Sequence, residues 1–153
     1  SCFDPSDCQS GVCTADGICG KGAPREFIAS TDDEYAVHLS WLPPLTEETP
    51  IHYELTRNGS VIGYVGYDIL TYDDIEALGG SIQPPQALRA TLATRIDGVL
   101  LEWDAAVAKA GAVSVYEVVA VYADNTRAIS SSASGNRAAP KISYEVSSDN
   151  GVN

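Results

Sequence analysis

Apolar and polar residues alternate with a period of two through several short runs of this 153-residue chain, each run ended by Pro, Gly, Asp or Asn. That is the pattern of half-buried β-strands. In Ala36-Val37-His38-Leu39-Ser40-Trp41, residues Val37, Leu39 and Trp41 share one face while His38 and Ser40 share the other. The same reading of Ile51-His52-Tyr53-Glu54-Leu55-Thr56 turns Ile51, Tyr53 and Leu55 inward and His52, Glu54 and Thr56 outward. Asn58-Gly59 then supplies the two positive-φ positions of a tight hairpin turn, so residues 60–65 are expected to fold back as the partner strand. Further β-type runs span 69–72, 87–92, 98–103, 113–122, 127–132 and 142–147, whereas the Ala-rich stretch 104–111 reads as a helical turn or two or as a loop. Many short strands with almost no helix predict an all-β fold of one or two antiparallel sandwiches. The expected core is Val37, Leu39, Trp41, Tyr53, Leu55, Leu88, Val99, Leu101, Trp103, Tyr116, Val118 and Val121.

All four cysteines, Cys2, Cys8, Cys13 and Cys19, precede this body, and residues 20–153 contain none. An even number of cysteines in a stretch too short to build a core is the pattern of a disulfide knot made in an oxidising compartment, which predicts an extracellular or cell-surface protein. The rival reading is a four-thiolate zinc site. Such sites usually show two short C-x2–4-C knuckles, whereas the gaps here are five, four and five residues. The segment Asp7-Cys8-Gln9-Ser10-Gly11-Val12-Cys13 followed by Asp16-Gly17-Ile18-Cys19-Gly20 resembles the short cysteine-rich repeats of secreted proteins. That resemblance, rather than any spacing rule, implies the crossed pairing Cys2 to Cys13 and Cys8 to Cys19. Lys21-Gly22-Ala23-Pro24 reads as a linker.

The body contains an internal repeat. Phe27-Ile28-Ala29-Ser30, an acidic turn and Val37 to Trp41 recur as Leu88-Arg89-Ala90-Thr91 and Val99 to Trp103, each copy following a proline. A proline opening the first strand, a tryptophan ending the second (Trp41, Trp103) and a tyrosine marking the third (Tyr53, Tyr144) resemble the fibronectin type III repeats of bacterial-type extracellular surface proteins. The resemblance implies an immunoglobulin-like sandwich, and residues 115–121 with Arg127 and Ser130 to Ser132 look like its last two strands, F and G. The order departs from the family. The first copy supplies strands resembling A, B, C, C′ and E, and then a new A and B begin where F belongs. We therefore divide the chain into a cysteine-rich knot (1–22), a first unit (23–80) and a second (81–153). In one arrangement F and G complete the first sandwich across an inserted pair, leaving the second unit with A, B and a C-like strand. An unfinished sandwich exposes strand edges that another chain or a neighbouring repeat must cover. Ile142, Tyr144 and Val146 are the candidate strand-exchange residues. In the bland alternative, the chain simply forms two degenerate sandwiches.

Nine Lys plus Arg against 21 Asp plus Glu give a formal charge of −12, which repels phosphate backbones and anionic lipid and argues against a nucleic-acid partner. No apolar run approaches the roughly 20 residues of a membrane helix, so no membrane insertion is expected. With Ser1 first and no Met anywhere, the sequence reads as a processed chain or a piece of something longer. There is no G-x-S-x-G elbow, phosphate loop or H-E-x-x-H motif, and no cysteine is left for catalysis once two disulfides form, so no catalytic residue is assigned and a non-enzyme is expected. His38 and His52, read as outward strand residues, have no third metal ligand at a matching spacing. Acidic residues at strand ends (Asp32, Asp33, Asp73, Asp74) are the only candidates for a weak calcium site. No other cofactor is expected. A cluster of Tyr64, Tyr67 and Tyr72 is the candidate platform for stacking a sugar ring. The expected role is a structural or adhesive module acting through protein contacts, with itself as a homopolymer or with neighbouring repeats. A sharper version is a fibre subunit joined by strand exchange. The alternative is a carbohydrate-binding module of a secreted hydrolase.

Overall fold

The computed structural model of the chain describes residues 3–8, 11, 13, 21–46, 48–90 and 98–146. Among these residues, twelve strands follow one 3-10 turn at Pro5–Asp7, which is capped by the Asp4 side chain. Cys8 and Cys13 are both disulfide-bonded. The pairing expected for them involves Cys2 and Cys19, which lie outside the described residues.

The alternation read from the sequence becomes a two-sheet sandwich. One sheet runs β1 (Arg25–Ala29), β2 (Val37–Leu42), β5 (Thr71–Asp74), with β2 in the middle and every pair antiparallel. The other runs β11 (Arg127–Ile129), β10 (Ser114–Val121), β3 (His52–Arg57), β4 (Ser60–Gly66), and β12 (Ala133–Gly135) also pairs with β10. In fibronectin type III terms these are sheets A-B-E and G-F-C-C′. F is β10, which pairs with β3 over six residue positions from Tyr116↔Arg57 to Val121↔His52. Strands from the two halves of the chain thus share a sheet, and residue 80 does not mark a boundary between sheets.

Asn58 (φ 51°) and Gly59 (φ 85°) make the β3–β4 turn with both residues left-handed, as a tight hairpin needs. The Asn58 side chain also accepts from Val115 N (2.8 Å), and Asn58 N donates to Val115 O (2.7 Å), tying the turn to β10.

Between the sheets lie Val37, Leu39 and Trp41 of β2, Tyr53 and Leu55 of β3, and Tyr116, Val118 and Ala120 of β10, each at most 3% exposed. A side chain of this size contributes roughly 1.5–3 kcal/mol when fully buried, so this cluster dominates stability. Trp41 sets its edge against Tyr53 (centroids 5.4 Å, 73°) and lies 6.3 Å from Phe27. Two inward assignments fail. Leu88 and Val99 are 72% and 65% exposed, and Leu101 and Trp103 are only half-buried, because no described sheet lies over them. The run 51–56 also departs from simple alternation: Ile51, just before β3, is exposed, while Glu54 and Thr56 are buried. Glu54 is ion-paired to Arg127 from β11, and Thr56 Oγ1 reaches Glu117 O (3.5 Å), so the outer face of this central strand is roofed by neighbouring strands.

The segment between β5 and β10 folds back on itself. β6 (Ser81–Gln83) pairs with β9 (Val107–Lys109), and inside that pair β7 (Gln86–Ala90) pairs with β8 (Leu101–Asp104). Pro84-Pro85, which lack backbone donors, separate the two ladders. The stretch read as helix or loop therefore carries strand β9. At the base the backbones nearly touch. A Cβ on Gly111 would come 2.1 Å from Leu78 O, and one on Gly80 would come 2.2 Å from Lys109 O. Arg137 closes this neck, donating from Nε to Glu34 O (2.8 Å) and from Nη1 to Ala77 O (3.1 Å) and accepting from Gly111 N at its carbonyl (2.9 Å).

Residues 142–146, expected as a strand, form none: the segment alternates correctly but no described strand pairs with it. The expected linker is not loose. Tyr122 Oη donates to Gly22 O (2.7 Å), and Lys21 pairs with Asp124 (2.5 Å) and Glu48 (3.1 Å).

Candidate functional site

Three of the charged residues nominated from the sequence, His38, Asp33 and Asp73, are engaged with one another. His38, outward on β2, lies between two of the calcium candidates, with Nδ1 2.6 Å from Asp73 and Nε2 3.2 Å from Asp33. Hydrogen bonding to Asp73 and then Asp33 raises the His38 pKa above its ordinary value. Asp33 is held below the usual carboxylate range, chiefly by the Tyr35 amide, then by His38 and the Ala36 amide. Asp74 points the other way, into the protein: it is 3% exposed and receives Arg57 Nη1 (2.6 Å) and Tyr116 Oη (2.8 Å). Burial and that bond to Asp74 push the Tyr116 hydroxyl far up. Asp32 is exposed. Three of the four acids are thus divided between two networks with Asp32 in neither, and among the described residues no group of three or more His, Cys, Asp or Glu side chains is placed to hold a metal ion. His52 lies in the other sheet from His38 and packs edge-on to Tyr64 (5.6 Å, 76°).

The three tyrosines proposed as a sugar platform are not one surface. Tyr72 turns inward, packs against the core and donates to Ile62 O (3.0 Å) directly over Gly63, while Tyr64 and Tyr67 are exposed.

A further exposed apolar surface lies on the inserted ribbon. Along it Ile82, Leu88, Val99, Leu100 and Val107 are each at least 41% exposed. A groove of about 350 Å³ is lined by Pro85, Leu88, Leu101, Trp103, Tyr144 and Val146, with Glu145 its single charged residue. Tyr144 is fixed there: its ring lies 5.4 Å from Trp103, and its hydroxyl accepts from Ala106 N (2.9 Å). Two of the three strand-exchange candidates, Tyr144 and Val146, thus line this groove. Ile142, 39% exposed, lines the adjoining hollow with Ile82, Pro84 and Ala106. The sequence named Trp103 and Tyr144 as marks of successive strands, and the 40 residues between them include β10, β11 and β12 of the first sandwich. Chemically the groove offers apolar area, one carboxylate and the edges of β7 and β8 that no described strand pairs. It suits an apolar polypeptide surface better than a polar reactant.

No family model matches the chain, and no curated protein does. Among solved structures, a pectate lyase, Pel3 from Pectobacterium carotovorum, is similar over 71% of this chain at 15% identity and a TM-score of 0.42. The chain spans about a quarter (25%) of that lyase. An Fn3-like protein from Clostridium thermocellum is similar over 81% of this chain and 98% of its own at 15% identity, with a TM-score of 0.48.

Proposed function

We propose that the chain is a non-catalytic structural module of an exported protein, working through protein contacts made by its inserted ribbon. One observation carries this reading. The inserted ribbon leaves Leu88, Val99 and Leu100 exposed beside an aromatic-lined groove. Contiguous exposed apolar surface on a folded protein marks an interaction site. The disulfide-bonded Cys8 and Cys13 support an oxidising, extracellular setting. The neighbouring repeats of a longer polypeptide fit this surface better than a homopolymer. A second copy would have to give up strands such as β5 and β10, which its own sandwich already uses.

A second reading, a carbohydrate-binding module, has the Trp103–Tyr144 pair in its favour, since aromatic faces stack on sugar rings. Affinity electrophoresis through polysaccharide gels, run beside binding of a hydrophobic dye, separates the two. The protein-contact reading expects dye bound at the ribbon, lost in Leu88→Asp, and no retardation by polysaccharide. Retardation abolished by Tyr144→Ala would establish the carbohydrate reading instead.

A further inference from the structure

The inner ladder of the ribbon reproduces the first hairpin of the sandwich. In β1–β2 the partners are Arg25↔Leu42, Ile28↔Ser40 and Ala29↔Leu39, with a bulge between Arg25 and Ile28. In β7–β8 they are Gln86↔Asp104, Arg89↔Glu102 and Ala90↔Leu101, with a bulge between Gln86 and Arg89. The first strands are displaced by 61 residues (Arg25 to Gln86) and the second by 62 (Leu42 to Asp104) throughout. The bulge residue itself is conformationally the same: Glu26 has φ 50° and Ala87 has φ 54°, both in a region non-glycine residues rarely visit.

The same displacement carries Trp41 onto Trp103, and each tryptophan meets a tyrosine at 5.4 Å, Tyr53 in one case and Tyr144 in the other. Around those tyrosines the sequence repeats too. Ile51-His52-Tyr53-Glu54-Leu55 resembles Ile142-Ser143-Tyr144-Glu145-Val146, and an Asn-Gly pair follows each, at Asn58-Gly59 and, one residue further on, at Asn150-Gly151. Where the two units differ is exposure. Val37 is 0% exposed and its counterpart Val99 65%; Leu39 is 1% exposed and its counterpart Leu101 half-buried.

We infer that β7, β8 and residues 142–146 are the A, B and C strands of a second sandwich like the first, and that the groove at Leu88, Trp103 and Tyr144 is its open core, closed by E, F and G strands carried on the same polypeptide beyond Asn153. This rests on the protein-contact reading above and names the contact. The equivalents of E, F and G within the chain, β5, β10 and β11, are already paired in the first sandwich. The C-like segment precedes an Asn-Gly pair in the sequence, as β3 precedes Asn58-Gly59, so the next strands in order belong after that pair. The two sandwiches are interlocked: the second begins between strands E and F of the first and resumes once the first is finished.

The test supplies the missing strands. A chain with a second copy of residues 61–76 and 112–136 appended after Asn153 is compared with the 153-residue chain by hydrogen exchange. Amides of β7 and β8 are expected to gain protection of about 100-fold or more in cis, and Leu88→Asp to abolish the gain. The same residues added as a separate peptide are expected to give none. Unchanged β7 and β8 exchange in an extended chain whose β2 and β10 remain protected would overturn the inference, as would protection gained only in trans. If the extended chain does not fold, the 153-residue chain still decides. Leu88→Asp is expected to leave its unfolding midpoint unmoved, and a loss of stability there would show Leu88 already buried and the inference wrong. Polysaccharide retardation would instead overturn the protein-contact reading itself.

Discussion

Trp103 and Tyr144 hold their rings 5.4 Å apart, the separation Trp41 keeps from Tyr53, yet only the second pair is sealed in a core. Trp41 and Tyr53 are 3% and 1% exposed, while Tyr144 is 43% exposed on the rim of an open groove. The same ring separation therefore has different energetic weight, and the weight depends on what covers it.

Replacing the two tryptophans should expose that difference. Trp41→Ala removes the largest side chain of the sealed core and should cost about 3–5 kcal/mol. Trp103→Ala removes a half-buried ring and should shift the main transition by less than about 1 kcal/mol. Urea unfolding followed by circular dichroism reads both, and equal losses would mean that the ribbon is part of the cooperative core.

Asp74 is a buried carboxylate whose charge is balanced by Arg57 and whose oxygen is bonded by Tyr116. Arg57→Leu strands that charge and should cost about 3 kcal/mol, at the low end for a broken buried pair because Arg57 keeps contact with water. Tyr116→Phe removes one bond and should cost about 1–2 kcal/mol. Denaturant midpoints check the order.

His38 gives a pH signature. Its folded pKa is raised, so its stabilising contribution is complete below the ordinary value of 6.5 and is lost as pH rises through the folded value. Asp33, whose folded pKa is depressed, contributes above 3.8 and loses that contribution as pH falls through its folded value. NMR titration of His38 should therefore give a midpoint above 6.5 that falls in Asp73→Asn, because Asp73 is the larger cause. An unmoved midpoint would contradict the geometry.

At the ribbon's neck, Gly111→Ala places a methyl carbon 2.1 Å from the Leu78 carbonyl oxygen, and backbone on both sides cannot yield as a side chain would. We expect a loss of about 1–3 kcal/mol, with hydrogen exchange accelerating first at β6 and β9. A neutral substitution would mean that the neck opens readily.

Much of this was legible in the sequence. The alternation in 36–41 and the Asn58-Gly59 signal fixed β2 and the β3–β4 hairpin, since inward position and turn chemistry are local properties. What escaped was set by distant partners. Glu54 reads as outward until Arg127 closes over it from 73 residues away, and β9 in its Ala-rich stretch has no pattern of its own and exists because β6 lies beside it. Residues 142–146 fail in the opposite sense, having a strand's pattern but no described partner. For the candidate site, Tyr144 and Trp103 carried recognisable roles, but their meeting depended on a topology that returns the chain to the ribbon after the first sandwich is finished.

The most direct test of the account is native-state hydrogen exchange on the 153-residue chain. With one closed sandwich and one open one, amides of β2, β3 and β10 should exchange only through global unfolding, while those of β7 and β8 exchange by local opening, orders of magnitude faster. Protection of β7 and β8 equal to that of β2 would show that the second unit is already closed and would contradict the account.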